Sequence, residues 1–257
     1  MSPSPAPFVW YELMTTDAAA AEKFYKDVVG WKAQDMSQGD MKYTGLLAAD
    51  TPVAGLMTLP EDACAAGAKP GWTGYVGVDD VDATAGRVSK AGGKILMPPT
   101  DIPNVGRFAM VADPQGTAFS LFKPSGDMPR PAADPNRPGM VGWHELYAVD
   151  GEKAFAFYAD LFGWTKAEAM DMGAMGVYQL FAAGGAPIGG MMTKPPDVPV
   201  SFWNYYFQVD GIGAAMERLK GGGGSVINGP MEVPGGNWIV QGLDPQGAMF
   251  SLVSTQA

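Results

Sequence analysis

Apolar residues along this chain switch repeatedly between two periods. The run "FVWYELMT" reads as a strand and leads to Asp17 and then "AAAAEKFYKDVVG". There Ala21, Phe24, Tyr25 and Val28 fall on one helical face. Asp17 is placed to cap the helix start, and Gly30 to stop it. Three strand-like runs follow, "GWKAQDM", "MKYTGLLAA" and "PVAGLMTL", separated by turn residues. The next stretch repeats that order. "WTGYVGV" reads as a strand and "DDVDATAGRVSKAGG" as a helix ending on glycines, while "KILMPP", "GRFAMVA" and "TAFSLFK" read as strands. The turn "DPQG" joins the last two, with Pro preset for the first bend and Gly for the final position. The unit is strand, helix, then three strands.

The whole pattern is then written again. Trp10, Glu12, Leu13, Asp17, Phe24, Tyr25, Gly30 and Trp31 answer to Trp143, Glu145, Leu146, Asp150, Phe157, Tyr158, Gly163 and Trp164. "TPVAGLMTLP" faces "APIGGMMTKP", and "DPQGTAFSLF" faces "DPQGAMFSLV". Such self-similarity marks a duplicated structural unit. Between the halves lies "KPSGDMPRPAADPNRPGM", rich in Pro and without apolar periodicity, which reads as a linker. We therefore expect a first domain over 1–124, a linker over 125–139 and a second domain over 140–257.

Composition narrows the function classes. Of 257 residues 47% are hydrophobic and only 17% charged, and the 35 Gly, 22 Pro and 17 Met point to many turns and adaptable apolar surfaces. A net charge of −10 repels phosphate backbones and anionic lipid, so neither nucleic acid nor membrane is expected as a partner. The single cysteine, Cys64, has no internal partner for a disulfide. The opening "MSPSPAPFVW" lacks the basic and apolar segments of a signal peptide. Both favour a cytoplasmic setting. Cys64 sits in the small-residue stretch "PEDACAAGAK", read as a loop.

The strand, Asp and "FY" of "ELMTTDAAAAEKFYKDVVGW", the "VDDVDA" at Val78 to Ala83, and the "DPQG" turns at Asp113 and Asp244 resemble the vicinal oxygen chelate superfamily. That superfamily includes glyoxalase I, extradiol dioxygenases, fosfomycin-resistance proteins and bleomycin-binding proteins. The resemblance covers almost the whole chain twice and is similar to tandem two-domain bacterial glyoxalase-like members. It implies an α+β fold of two tandem domains. Each would be two βαβββ units forming a curved mixed sheet around a cleft.

The resemblance also implies where a divalent metal would be held. The superfamily's ligand positions land on Trp10, Thr73 and Ser120 in the first half, and on Trp143, Asn204 and Ser251 in the second. None is His, Asp or Glu, so no cofactor is expected and a divalent metal lacks its usual ligands. The only histidine, His144, alternates away from Trp143 and Glu145 along its strand, towards the helix layer if Trp143 faces the cleft. Glu12 and Glu145 should face the clefts. Each is either a general base with a burial-raised pKa or a structural carboxylate accepting hydrogen bonds.

The remaining ligand-binding candidates are Trp10, Met14, Thr73, Tyr75, Arg107, Ser120 and Phe122, with Trp143, Asn204, Tyr206, Trp238 and Ser251 in the second half. Arg107, which answers to Trp238, could meet an anionic group or be a solvated turn residue. Clefts walled by Met and aromatic residues suit a flat apolar molecule. Two readings stay open. One is a glyoxalase/bleomycin-resistance-like protein binding a small, largely apolar or aromatic molecule without the usual metal. The other is a glyoxalase-like lyase or isomerase, or a dioxygenase-related enzyme, using Glu12 or Glu145 with a recruited divalent metal. A monomer is preferred, with a homodimer as the alternative.

Overall fold

The computed structural model describes residues 5–126 and 134–257. The expected linker therefore lies partly outside the described residues. In the first half β1 (Phe8–Thr15), α1 (Ala18–Val29), β2 (Lys32–Asp35), β3 (Thr44–Ala48) and β4 (Thr51–Thr58) are followed by α2 (Glu61–Ala65). Then come β5 (Gly71–Gly77), α3 (Val81–Lys90), β6 (Lys94–Ile102), β7 (Gly106–Ala112) and β8 (Ala118–Pro124). The second half repeats this as β9 (Val141–Ala148), α4 (Gly151–Phe162), β10 (Thr165–Asp171), β11 (Val177–Ala182) and β12 (Pro187–Thr193). It ends with β13 (Phe202–Gln208), α5 (Ile212–Gly221), β14 (Ser225–Val233), β15 (Asn237–Leu243) and β16 (Met249–Ser254).

The strands form two eight-stranded mixed sheets, ordered β2-β3-β4-β1-β5-β8-β7-β6 and β10-β11-β12-β9-β13-β16-β15-β14. The fold is α+β, two tandem copies of one architecture. Among the described residues, no helix is long and apolar enough to cross a membrane.

Local signals act as the sequence suggests. Asp17 adopts extended backbone and its carboxylate accepts from Ala20 N, while Gly30 takes the left-handed conformation at φ 84°. The buried face of α1 is Ala21, Phe24, Tyr25, Val28 and Val29. The stretch around Cys64 departs from the loop expected. Pro60 leads into a short helix with Glu61 and Asp62 in its first turn, which favours the positive end of the helix dipole, and Cys64 on it is exposed.

Packing divides the chain into two compact units, and each takes one quarter from each half. One comprises Met1–Val9, Thr73–Arg130 and His144–Trp203; the other comprises Trp10–Trp72, Pro131–Trp143 and Asn204–Ala257. In the second of these, Tyr25 of α1 packs edge-on against Trp72 and Phe250, at centroid separations of 5.2 and 5.3 Å. Its hydroxyl donates to Asp244 Oδ2 at 3.1 Å and accepts from Trp72 Nε1 at 2.9 Å. The other unit does the same with its own residues. Tyr158 of α4 donates to Asp113 Oδ2 at 3.1 Å and accepts from Trp203 Nε1 at 3.1 Å. The "FY" of each helix and the "DPQG" turn of the opposite half are therefore parts of one buried knot. Asp113 and Asp244 also hold their own turns, each accepting backbone N–H bonds two and four residues on.

Candidate functional site

Strand alternation sorts the first strand of each half. Along β1, Tyr11, Leu13 and Thr15 are buried in the core, which leaves Trp10, Glu12 and Met14 on the other face. Along β9, His144, Leu146 and Ala148 take the core positions, leaving Trp143, Glu145 and Tyr147 opposite. His144 stacks on Phe8 at 4.4 Å, and its Nδ1 lies 2.7 Å from Ile188 O. Burial drives its pKa down to about 4, against a smaller upward pull from that backbone bond. The histidine belongs to the packed interior, as alternation predicts.

Glu12 is held by a tyrosine that sequence reasoning did not single out. Tyr43, just before β3, donates its hydroxyl to Glu12 Oε2 at 3.0 Å and accepts from Trp10 Nε1 at 2.9 Å. Glu12 pairs with Gly55 in the parallel β1–β4 register. A Cβ at Gly55 would clash with the Tyr43 hydroxyl and ring, so the absent side chain makes room for the tyrosine beside the carboxylate. Burial, then the charge of Glu12, pushes the Tyr43 pKa far up, so the tyrosine stays a protonated donor. The second half rebuilds these pieces. Glu145 pairs with Gly190 across β9 and β12, and a Cβ at Gly190 would clash with the Tyr178 ring. The signal was present in the sequence as a tyrosine at the start of the third strand in both copies, Tyr43 just before β3 and Tyr178 as the second residue of β11.

The later strands differ between the halves. In the first, Tyr75 of β5 pairs with Ser120 of β8, and Ser120 with Met110 of β7. The Tyr75 ring lies 6.4 Å from Phe108 and 6.3 Å from Phe122. Thr73 and Ser120 are buried, and Ser120 Oγ has no hydrogen-bond partner among the described residues. Arg107 is engaged elsewhere. Its Nε donates to Asp82 Oδ2 at 2.6 Å and its Nη1 to Asp101 Oδ1 at 2.8 Å, so two carboxylates occupy the guanidinium.

In the second half, the matching face of β13, β15 and β16 is polar. Asn204 Nδ2 donates to Ser251 Oγ at 2.8 Å. Gln241, which answers to Met110, donates from Nε2 to Tyr206 OH at 2.8 Å and accepts from Asn228 Nδ2 at 3.2 Å. Tyr206, Ser251 and Gln241 stand side by side in register. Asn204, Tyr206, Gln241 and Ser251 are all buried. Trp238, in place of Arg107, is half-buried beside Glu232 on β14. Gln241 and Asn228 escaped the sequence reading; comparing Gln241 with Met110 would have found the first.

Two hollows lie at matching places in the copies. One of ≈ 370 Å³ is bounded by Glu22, Ala33, Lys42 and Leu56, and one of ≈ 650 Å³ by Phe155, Lys166, Val177 and Met191. Neither includes Glu12 or Glu145.

A family model described as the Glyoxalase/Bleomycin resistance protein/Dioxygenase superfamily matches residues 8–121 and again 140–252. The chain is 35% identical to the putative glyoxylase CFP32 of Mycobacterium bovis, covering 95% of this chain and 93% of that protein. It is 34% identical to the anthracycline biosynthesis protein DnrV of Streptomyces peucetius, covering 97% and 94%. Among solved structures it is similar to the Mn(II)-bound glyoxalase from Novosphingobium aromaticivorans, with a TM-score of 0.68 at 17% identity over 100% of this chain and 84% of that one. The 2,3-dioxygenase LapB from Pseudomonas sp. KL28 gives 0.65 at 12% identity over 98% and 91%. At such identities these structures share the fold, and chemistry must be argued from the site.

Proposed function

This chain belongs to the glyoxalase/bleomycin resistance protein/dioxygenase superfamily, and from that premise we propose that it binds a small, largely apolar or aromatic molecule without the superfamily's usual metal. The observation that carries the reading is the donor set at the metal-ligand positions. Trp10, Thr73 and Ser120, and Trp143, Asn204 and Ser251, are neutral. A dication on such groups would gain no charge compensation and few strong donors. The Asn204 amide already hydrogen-bonds Ser251, and Glu12 already accepts from Tyr43. Among the described residues, no group of three His, Cys, Asp or Glu could hold an ion. These residues do not fit the metal.

Aromatic and thioether side chains, among them Trp10, Met14, Tyr75, Phe122, Trp143 and Tyr206, supply the apolar contact area a flat ligand needs. The anthracycline biosynthesis relatives support that choice, since anthracyclines are fused aromatic molecules.

The second reading is a glyoxalase-like lyase or isomerase. Its support is the buried carboxylate of Glu12 or Glu145 and the relatives named putative glyoxylase. One experiment separates the two. Protein dialysed against a chelator is titrated with fused-ring aromatics, with tryptophan fluorescence as the readout. Saturable binding that is unchanged by the chelator is expected. A stoichiometric divalent ion, with turnover of a hemithioacetal that Glu12→Gln or Glu145→Gln abolishes, would replace the first reading by the second.

A further inference from the structure

We propose that Asn204 and Ser251 form a neutral hydrogen-bonding station, confined to the second half, that takes a hydroxyl group on the bound aromatic molecule. The inference rests on the aromatic-ligand reading above and names the polar group that ligand carries. It starts from an unbalanced pair. Asn204 is 1% exposed and Ser251 0%. Asn204 spends one amide hydrogen on Ser251 Oγ, yet its Oδ1 is buried with no hydrogen-bond partner among the described residues. Leaving a buried acceptor unmade costs more than a made hydrogen bond returns, so such an atom calls for an occupant.

The chemistry of that occupant follows from what the pair still offers. Asn204 Oδ1 can only accept. Ser251 Oγ accepts from Asn204 and retains its own O–H to give. An acceptor beside a donor matches a hydroxyl, which both donates and accepts. A carboxylate would face the acceptor oxygen with no hydrogen to offer, and a bare hydrocarbon would leave the amide unsatisfied. The strands beside the station are held by the Asn228–Gln241–Tyr206 chain. Gln241 stands next to Ser251 in the β15–β16 register. Side chains fixed this way are preorganised, which makes them discriminating.

The first half lacks this arrangement. There Thr73 replaces the amide of Asn204 and Met110 that of Gln241. Ser120 Oγ is buried without a partner among the described residues, but no planar amide stands with it. Polar selectivity should therefore belong to one copy.

The test measures dissociation constants for the full chain by equilibrium dialysis at neutral pH, with 2-naphthol and 2-methylnaphthalene as a matched pair. The wild type is expected to favour 2-naphthol by about tenfold or more, the value of one well-made buried hydrogen bond. In Asn204→Leu the preference should fall to within about twofold, while Thr73→Val should keep it. Ser251→Ala, a smaller change, should also weaken the preference, and it serves if Asn204→Leu does not fold. Equal binding of both probes by the wild type would overturn the station and leave the aromatic reading standing. So would a preference that survives both second-half variants. Binding of neither probe would overturn both proposals.

Discussion

Tyr25 and Asp244 stand 219 positions apart in the chain and meet through a 3.1 Å hydrogen bond in a buried site. The bond joins the first helix to the last turn, and Trp72 completes it by donating to the same hydroxyl. Tyr158, Asp113 and Trp203 repeat the trio. Tyr25, Asp113 and Asp244 lie in the motifs that carry the superfamily resemblance. Their work is architectural.

Tyr25→Phe removes a donor from Asp244 and an acceptor from Trp72, and Tyr158→Phe does the same to Asp113 and Trp203. Each should cost about 1–3 kcal/mol of stability, the penalty for leaving buried polar groups unpaired. Urea denaturation measures it. A loss below about half a kcal/mol in both variants would show that these bonds are dispensable.

Gly55→Ala should push Tyr43 off Glu12, because the added methyl occupies the tyrosine's place. Overpacking of this kind costs about 1–3 kcal/mol. The cost should shrink when Tyr43 is already alanine, since the two changes act on one contact. Additive losses in the double variant would separate the glycine from the tyrosine.

His144 has a folded-state pKa near 4, below its ordinary 6.5, because burial disfavours the charged ring. The folded state therefore binds this proton less readily than the unfolded chain. Its stability contribution is complete above about pH 6.5 and is lost as pH falls towards 4. The full swing is about 3 kcal/mol, from roughly 1.4 kcal/mol per pH unit. His144→Gln should flatten this slope. Asp244 has the opposite tendency: burial raises its pKa, so its contribution weakens as pH rises above the ordinary carboxylate range. Because Asp244 is present in both proteins, it cancels in the comparison. Denaturation midpoints at several pH values, wild type against variant, give the answer, and parallel curves would contradict it.

Arg107 faces Asp82 and Asp101, so Arg107→Gln should leave affinity for an anionic aromatic such as 2-naphthoate within about twofold of wild type, as expected for a change away from the site. A large loss in equilibrium dialysis would mean the guanidinium leaves its two carboxylates to meet a ligand.

Much of this was legible in the sequence because it was written locally and twice. Asp17 with Gly30 marked α1, the DPQG turns marked the ends of β7 and β15, and alternation placed His144 opposite Trp143. The partners across strands were less legible. That Tyr43 reaches Glu12 depends on Gly55 lying beside Glu12 in register, which no local pattern states. Likewise, the Asn228–Gln241–Tyr206 chain crosses strands and emerges only when register is known. The engagement of Arg107 depended on Asp101, its partner in the β6–β7 register, and on Asp82, a motif residue whose reach to β7 no local pattern states.

The interleaving of quarters has an evolutionary consequence. Neither copy of the duplicated gene segment owns a finished interior, since Tyr25 needs Asp244 and Asp113 needs Tyr158. Deleting either copy would strand both, so selection for folding alone preserves the pair. Under that protection the inner surfaces of the two copies are free to diverge, as at Met110 and Gln241, while the shared scaffold holds.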